Sequence, residues 1–169
     1  KSFAKVPREK FIPENLRELA YEDIALPLEG GATISQPYTI AFMLALLELK
    51  PKQKILEIGS GCGYVLALLS EITNGKIYGV ELLKSLAEKS RSYLKNYKNI
   101  KIYNRNGFYG LEEKALFDRI LISAASDKLP KHLYQQLRNN GIIVVPVGNS
   151  IFQIKKLNRE FKVKEFPGF

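Results

Sequence analysis

Apolar residues in this chain follow two alternating rhythms. Short runs at 54–58, 76–80, 100–103, 117–124 and 141–147 have the length of buried strands, and the segments 65–72, 85–96 and 132–137 space their apolar residues as helices do. Strands separated by helices of about 10 residues predict an α/β fold: a doubly wound, mostly parallel sheet that receives ligands at the carboxyl ends of its strands. Upstream, 38–49 is apolar nearly all round and is expected to be a helix buried against the sheet, begun by Pro37 and stopped by Lys50-Pro51. At the other end, 151–157 and 161–165 alternate apolar and polar residues around Asn158-Arg159-Glu160, which predicts an antiparallel hairpin at the sheet edge. The N-terminal region is punctuated by Pro7 and Pro13 and reads as an arm carrying a short amphipathic helix at 14–21. The glycines, hydroxyls and prolines of 27–37 suit an ordered loop without regular structure. One domain covers 1–169: arm and loop over 1–37, a ligand-binding core over 38–148 and the edge hairpin over 149–169.

Chemistry concentrates where the first core strand meets its helix. Lys54-Ile-Leu-Glu-Ile-Gly-Ser-Gly-Cys-Gly-Tyr64 runs through glycines at alternate positions, Gly59, Gly61 and Gly63. Such a turn lets a ligand lie against the main chain near free N–H groups of the first helical turn. A dinucleotide fingerprint needs its third glycine where Tyr64 stands, so the pyrophosphate reading weakens. Glu57 is an expensive anion beside a phosphate and a sensible one beside a cation. S-adenosylmethionine, with an ammonium, a sulfonium and no phosphate, fits better. Glu81 closes the next strand roughly 20 residues on, where a ribose-binding carboxylate is expected. The alternative is an ordinary βα turn with solvated glutamates.

Charge and cysteine content alter this picture little. Lys plus Arg is 26 against 17 acids, a net charge of +9, but the lysines are scattered and read as solvated faces more readily than as a nucleic-acid footprint. Cys62 is the single cysteine, so no disulfide forms within the chain, and one His132 without a Cys/His cluster argues against a transition-metal site. No run is long enough to span a bilayer and no signal peptide precedes the first elements, so a cytoplasmic monomer is expected.

Several segments together resemble the protein-L-isoaspartate (D-aspartate) O-methyltransferases: Val6-Pro-Arg-Glu-Lys-Phe-Ile-Pro13, Ala20-Tyr-Glu-Asp23, Thr33-Ile-Ser-Gln-Pro-Tyr38, the glycine turn, Phe117-Asp118 with Ala124-Ala125, and the 141–147 strand ending Pro146-Val-Gly148. The resemblance implies a Rossmann-like methyltransferase fold that uses S-adenosyl-L-methionine, releases S-adenosyl-L-homocysteine and esterifies the α-carboxylate of isoaspartyl residues in damaged proteins. It places Gly59, Ser60, Gly61 and Gly63 along the methionine part of the cofactor and Glu57 near its ammonium. Glu81 with Leu82 falls at the ribose, and Asn106-Gly107 at the adenine. Thr33 and Ile34 bridge cofactor and substrate. Ala32, Gln36 and Tyr38 fall on the substrate side, and Ser35 is the active-site hydroxyl.

The chain departs from the family in three ways. Asn106 stands where an Asp is usual, Arg105 stands where a small residue is common, and the chain starts late and ends early, at Phe166-Pro-Gly-Phe169. The last puts an N-terminal helix and a C-terminal part of the substrate groove outside it. Ser35 before Gln36-Pro37 also suits a helix-entry cap. Other readings stay open: a nucleic-acid methyltransferase, which Ser123-Ala-Ala-Ser126 disfavours for want of an Asn/Asp-Pro-Pro-aromatic group; a cofactor binder without catalysis; and a Ser/His hydrolase, for which no Gly-x-Ser-x-Gly elbow exists.

Overall fold

A computed structural model describes residues 2–169. After a turn of helix α1 (Ser2–Lys5), a two-stranded ladder joins β1 (Leu26–Pro27) to β2 (Thr33–Ile34), and α2 (Pro37–Leu46) follows. The core then runs β3 (Lys54–Ile58), α3 (Tyr64–Thr73), β4 (Lys76–Glu81), α4 (Lys84–Tyr93), β5 (Ile100–Asn104), β6 (Phe117–Ile122), β7 (Leu137–Val147), β8 (Ser150–Leu157) and β9 (Glu160–Pro167). The large sheet has the order β5-β4-β3-β6-β7-β8-β9. Strands β3 to β7 pair in parallel and β8 and β9 are added antiparallel, so the edge hairpin forms where the alternation placed it.

Strand order reverses between β3 and β6. Connections leave that point in opposite directions, so a crevice opens at the carboxyl ends of these two strands. Period-2 alternation decides what faces it. Leu56, Ile58, Ile120 and Ile122 join the core on one face, while Ile55 and Leu121 join the core on the face covered by α2 and α3. Glu57 shares the parity of Ile55 and therefore turns toward α2 and α3.

Helix α2 is apolar on opposite sides for two reasons. Ile40, Met43 and Leu44 are buried in the core, and Phe42 on the other side packs against Phe166 and Phe169 from the end of the hairpin. Its last carbonyls are held from the sheet: the Arg119 guanidinium donates to Leu47 O and, at 3.0 Å, to Glu48 O, and the Gln153 amide donates to Leu46 O. A buried side chain thus satisfies groups that a helix end leaves orphaned.

Three expectations are corrected. Glu14–Leu19 is a 3-10 helix with no buried residue, and Leu19 is exposed; i,i+3 spacing suits both helix types, and only Ala20 beyond it is buried. The helix expected at 132–137 is likewise a 3-10 helix, Lys131–Gln136, and Leu137 already starts β7. The 27–37 segment is not wholly irregular, because β1 and β2 pin its two ends together.

Candidate functional site

Gly59, Gly61 and Gly63 all have positive φ, at 76°, 52° and 86°. A Cβ on Gly59 would lie 2.9 Å from that of Ala124, and one on Gly61 meets only Leu28 at 3.8 Å, so the chain's own atoms forbid a side chain at the first position and leave room beside the second. Gly63 serves packing: a Cβ there would meet Leu94 Cδ1 at 2.7 Å and Ser90 Cβ at 3.1 Å, where α4 crosses the start of α3. Gly63 lies outside the pocket lining, and its missing side chain permits this close helix approach.

Above this turn lies a pocket of about 500 Å³, its open mouth included, at the strand-order reversal. Thr33, Ile34 and Ser35 line it together with Glu57, Gly59, Ser60 and Gly61, so segments more than 20 residues apart in sequence converge there. Leu28, Ile40 and Met43 supply apolar surface. Ser35 does not cap α2. Gln36 occupies the N-cap without a side-chain bond and Pro37 fills the first helical position, which leaves the Ser35 hydroxyl to the pocket.

Two buried carboxyl groups flank the turn. Glu81 accepts from Gly61 N at 2.7 Å and from Leu83 N at 2.9 Å, tying the glycine turn to the start of α4. Glu57 accepts from Ser123 Oγ at 2.6 Å through one oxygen, while its second oxygen is buried without a partner. Burial raises the Glu57 carboxyl to about 8; the Ser123 bond opposes that rise and the charge of Glu81 adds to it. Ser60 Oγ is a second buried polar atom without a partner in the same pocket. An unmatched acid and hydroxyl in one cavity mark a site built for a polar, cationic guest. Burial pushes the Cys62 thiol up to about 11, so it is no thiolate nucleophile.

The remaining expected residues lie outside the pocket lining. Leu82 and Tyr38 are exposed; the Tyr38 ring stacks on Phe169 and its backbone N–H donates to Asp23. Ala32 and Gln36 are half-buried beside Thr33 and Ser35. Gly107 rests on the strand ends, where a Cβ would meet Ile58 Cγ2 at 2.5 Å, and exposed Asn106 accepts from Phe108 N at 2.9 Å. Arg105 donates to Gly110 O and pairs with Glu113, clamping the loop after β5 from outside. His132 stacks on Phe108 with ring centroids 4.5 Å apart. Among the described residues no cluster of three or more His, Cys, Asp or Glu is placed to hold a metal, and no helix is long and apolar enough to cross a membrane.

Sequence reasoning missed Ser123, Leu121 and Cys62 as pocket residues. Ser123 carried half of the signal: it shares the parity of Leu121, which faces Glu57, but only the pairing of β6 with β3 turns that parity into a contact.

The chain matches the family described as protein-L-isoaspartate(D-aspartate) O-methyltransferase over residues 1–166. It is 45% identical over 150 residues to protein-L-isoaspartate O-methyltransferase 2 of Pelobacter propionicus, an alignment covering 88% of this chain and 66% of that protein. A solved protein-L-isoaspartate O-methyltransferase superposes with a TM-score of 0.88 at 26% identity, over 99% of this chain and 58% of the other. A Plasmodium falciparum structure, described as a putative protein-L-isoaspartate O-methyltransferase in complex with S-adenosyl-L-homocysteine, superposes with a TM-score of 0.85 at 27% identity, over 99% and 85%. The chain thus spans about two thirds of the length of the curated relative it matches and somewhat more than half of the first of these structures.

Proposed function

Because the chain belongs to the protein-L-isoaspartate(D-aspartate) O-methyltransferase family, we propose that it esterifies the α-carboxylate of L-isoaspartyl or D-aspartyl residues in damaged proteins, using S-adenosyl-L-methionine. The observation that carries the reading is the pocket itself, which is lined by Ser35 together with Glu57 and the glycine turn. When bound, S-adenosyl-L-methionine supplies a methyl group activated by a sulfonium. Glu57 and Ser60 have unmatched polar atoms to offer its amino-acid end, Glu81 holds the turn in shape, and Asn106-Gly107 sits at the neighbouring strand ends for the base.

The attacking carboxylate has an ordinary pKa near 4 and is already ionised at neutral pH, so no general base is required of a chain with one histidine. What the protein supplies is orientation and exclusion of water. The Ser35 hydroxyl and the neighbouring backbone of Thr33 and Ile34 hold and aim the carboxylate, and Leu28, Ile40 and Met43 dry the path. Peptides are the partners this chemistry needs, and the buried unpaired Cys62 suits the reducing cytoplasm.

Ser35→Ala tests the assignment. Methyl transfer to an isoaspartyl peptide is expected to fall by about tenfold or more, while the Kd for S-adenosyl-L-homocysteine stays within a few-fold, since one hydroxyl aimed at the substrate is lost and the cofactor walls remain. Unchanged turnover would remove Ser35 from the mechanism.

A further inference from the structure

Resting on the cofactor reading above, we propose that Glu57 and Ser123 form a proton-releasing pair: the free protein keeps Glu57 protonated, arrival of the cofactor's ammonium expels that proton to solvent, and Ser123 is a positioning residue that aims and stabilises the carboxylate left behind. The geometry is specific. Glu57 is 1% exposed at the carboxyl end of β3, one oxygen takes the Ser123 hydroxyl at 2.6 Å, and the other has no donor from the protein. Ser123 does not need its hydroxyl for the fold, because its backbone N–H already continues the sheet by donating to Ile58 O at 2.8 Å.

The charged and titratable groups around Glu57 all favour the neutral acid or leave it alone. From β4, Glu81 adds negative charge, and its oxygens are engaged by Gly61 and Leu83. From the turn, Cys62 is a neutral thiol, and from α3, Tyr64 is a neutral phenol held up to about 12 by burial. The Arg8 guanidinium lies over the Tyr64 ring, 5.5 Å from its centroid, and is not among the groups that shift Glu57. The loop and α2 walls offer Leu28, Thr33, Ile34, Ser35, Ile40 and Met43, none of them charged. With no cation of its own, the pocket leaves the Glu57 O–H bond intact until a cationic guest makes ionisation favourable. That bond then breaks, the proton goes to buffer, and the carboxylate faces the ammonium. Burial of the acid, which sets its pKa at about 8, makes the release close to complete at pH 6.5.

The test is calorimetric titration with S-adenosyl-L-homocysteine at pH 6.5 in two buffers of different ionisation enthalpy, which counts protons. The ligand's α-amino group is already charged there and contributes little. About one proton per site is expected from the wild type and about none from Glu57→Gln. Fewer than about 0.2 protons from the wild type, or an equal count from Glu57→Gln, would overturn the pair, and the wild-type count alone suffices if the variant fails to fold. At pH 8, Ser123→Ala is expected to release more than the wild type, by up to about half a proton, because loss of the hydrogen bond raises Glu57 further; the ligand's own titration cancels in that difference. Equal counts would strip Ser123 of its role. Binding without proton release defeats the pair and leaves the cofactor reading standing, whereas no saturable binding by equilibrium dialysis would defeat both.

Discussion

Glu81 works through two backbone N–H groups at once, Gly61 and Leu83, and only a carboxylate can accept from both. In Glu81→Gln one end of the side chain becomes an NH₂ and confronts a donor. An unsatisfied buried group costs about 1–3 kcal/mol, so the Kd for S-adenosyl-L-homocysteine is expected to rise about tenfold as the turn loosens. Titration checks it, and an unchanged Kd would mean the turn holds itself. Asn106 presents the opposite case. Its oxygen is engaged by Phe108 N, so on the proposed placement of the base its NH₂ meets a purine whose exocyclic amino group is also a donor. Asn106→Asp returns an acceptor and is expected to tighten binding by about threefold or more, a gain the same titration reads. The bracing role of Glu81 was not visible in sequence, where spacing suggested a ribose ligand and gave no sign that the carboxylate holds the glycine turn.

Helix α2 follows directly on the segment that carries Ser35, and its position depends on contacts from distant strands. Arg119, 5% exposed on β6, caps the carbonyls of Leu47 and Glu48, and Gln153 on β8 caps that of Leu46. Arg119→Met keeps the aliphatic stem but removes the donor from the carbonyls of Leu47 and Glu48, and also from those of Asp118 and Asn140, so unfolding in urea is expected to show a loss of about 2–4 kcal/mol. A loss below about 0.5 kcal/mol would show that water replaces the guanidinium without penalty. Such long-range caps explain what was legible at this scale. The parallel strands announced themselves because burial on both faces makes them continuously apolar, and α2 because it packs on both sides. Segments 14–19 and 131–136 did not, because a short apolar spacing of three or four fits an α-helix and a 3-10 helix equally.

For the molecule as a whole, the strand-order reversal and the chain's charges act together. A doubly wound sheet with a crevice at its carboxyl ends was foreseeable from alternating strands and helices; that the reversal lies between β3 and β6, and so brings Leu121 and Ser123 into the crevice, was not. Burying Glu57 there has a global consequence. Its folded value of about 8 lies above its ordinary 4.5, so between those values the folded state holds a proton the unfolded chain has lost. Stability should therefore fall as pH rises from about 5 to 8 and level off above, by at most about 4–5 kcal/mol. Glu57→Gln should flatten that slope in urea unfolding curves; an equal slope in both proteins would place its cause elsewhere.

Carboxyl methylation of isoaspartyl residues is tested most directly by one measurement: incubation with methyl-labelled S-adenosyl-L-methionine and paired peptides that differ only in carrying aspartyl or isoaspartyl at one position. Base-labile label on the isoaspartyl peptide alone is the predicted result. Label on neither peptide from a folded protein, or equal label on both, would contradict it.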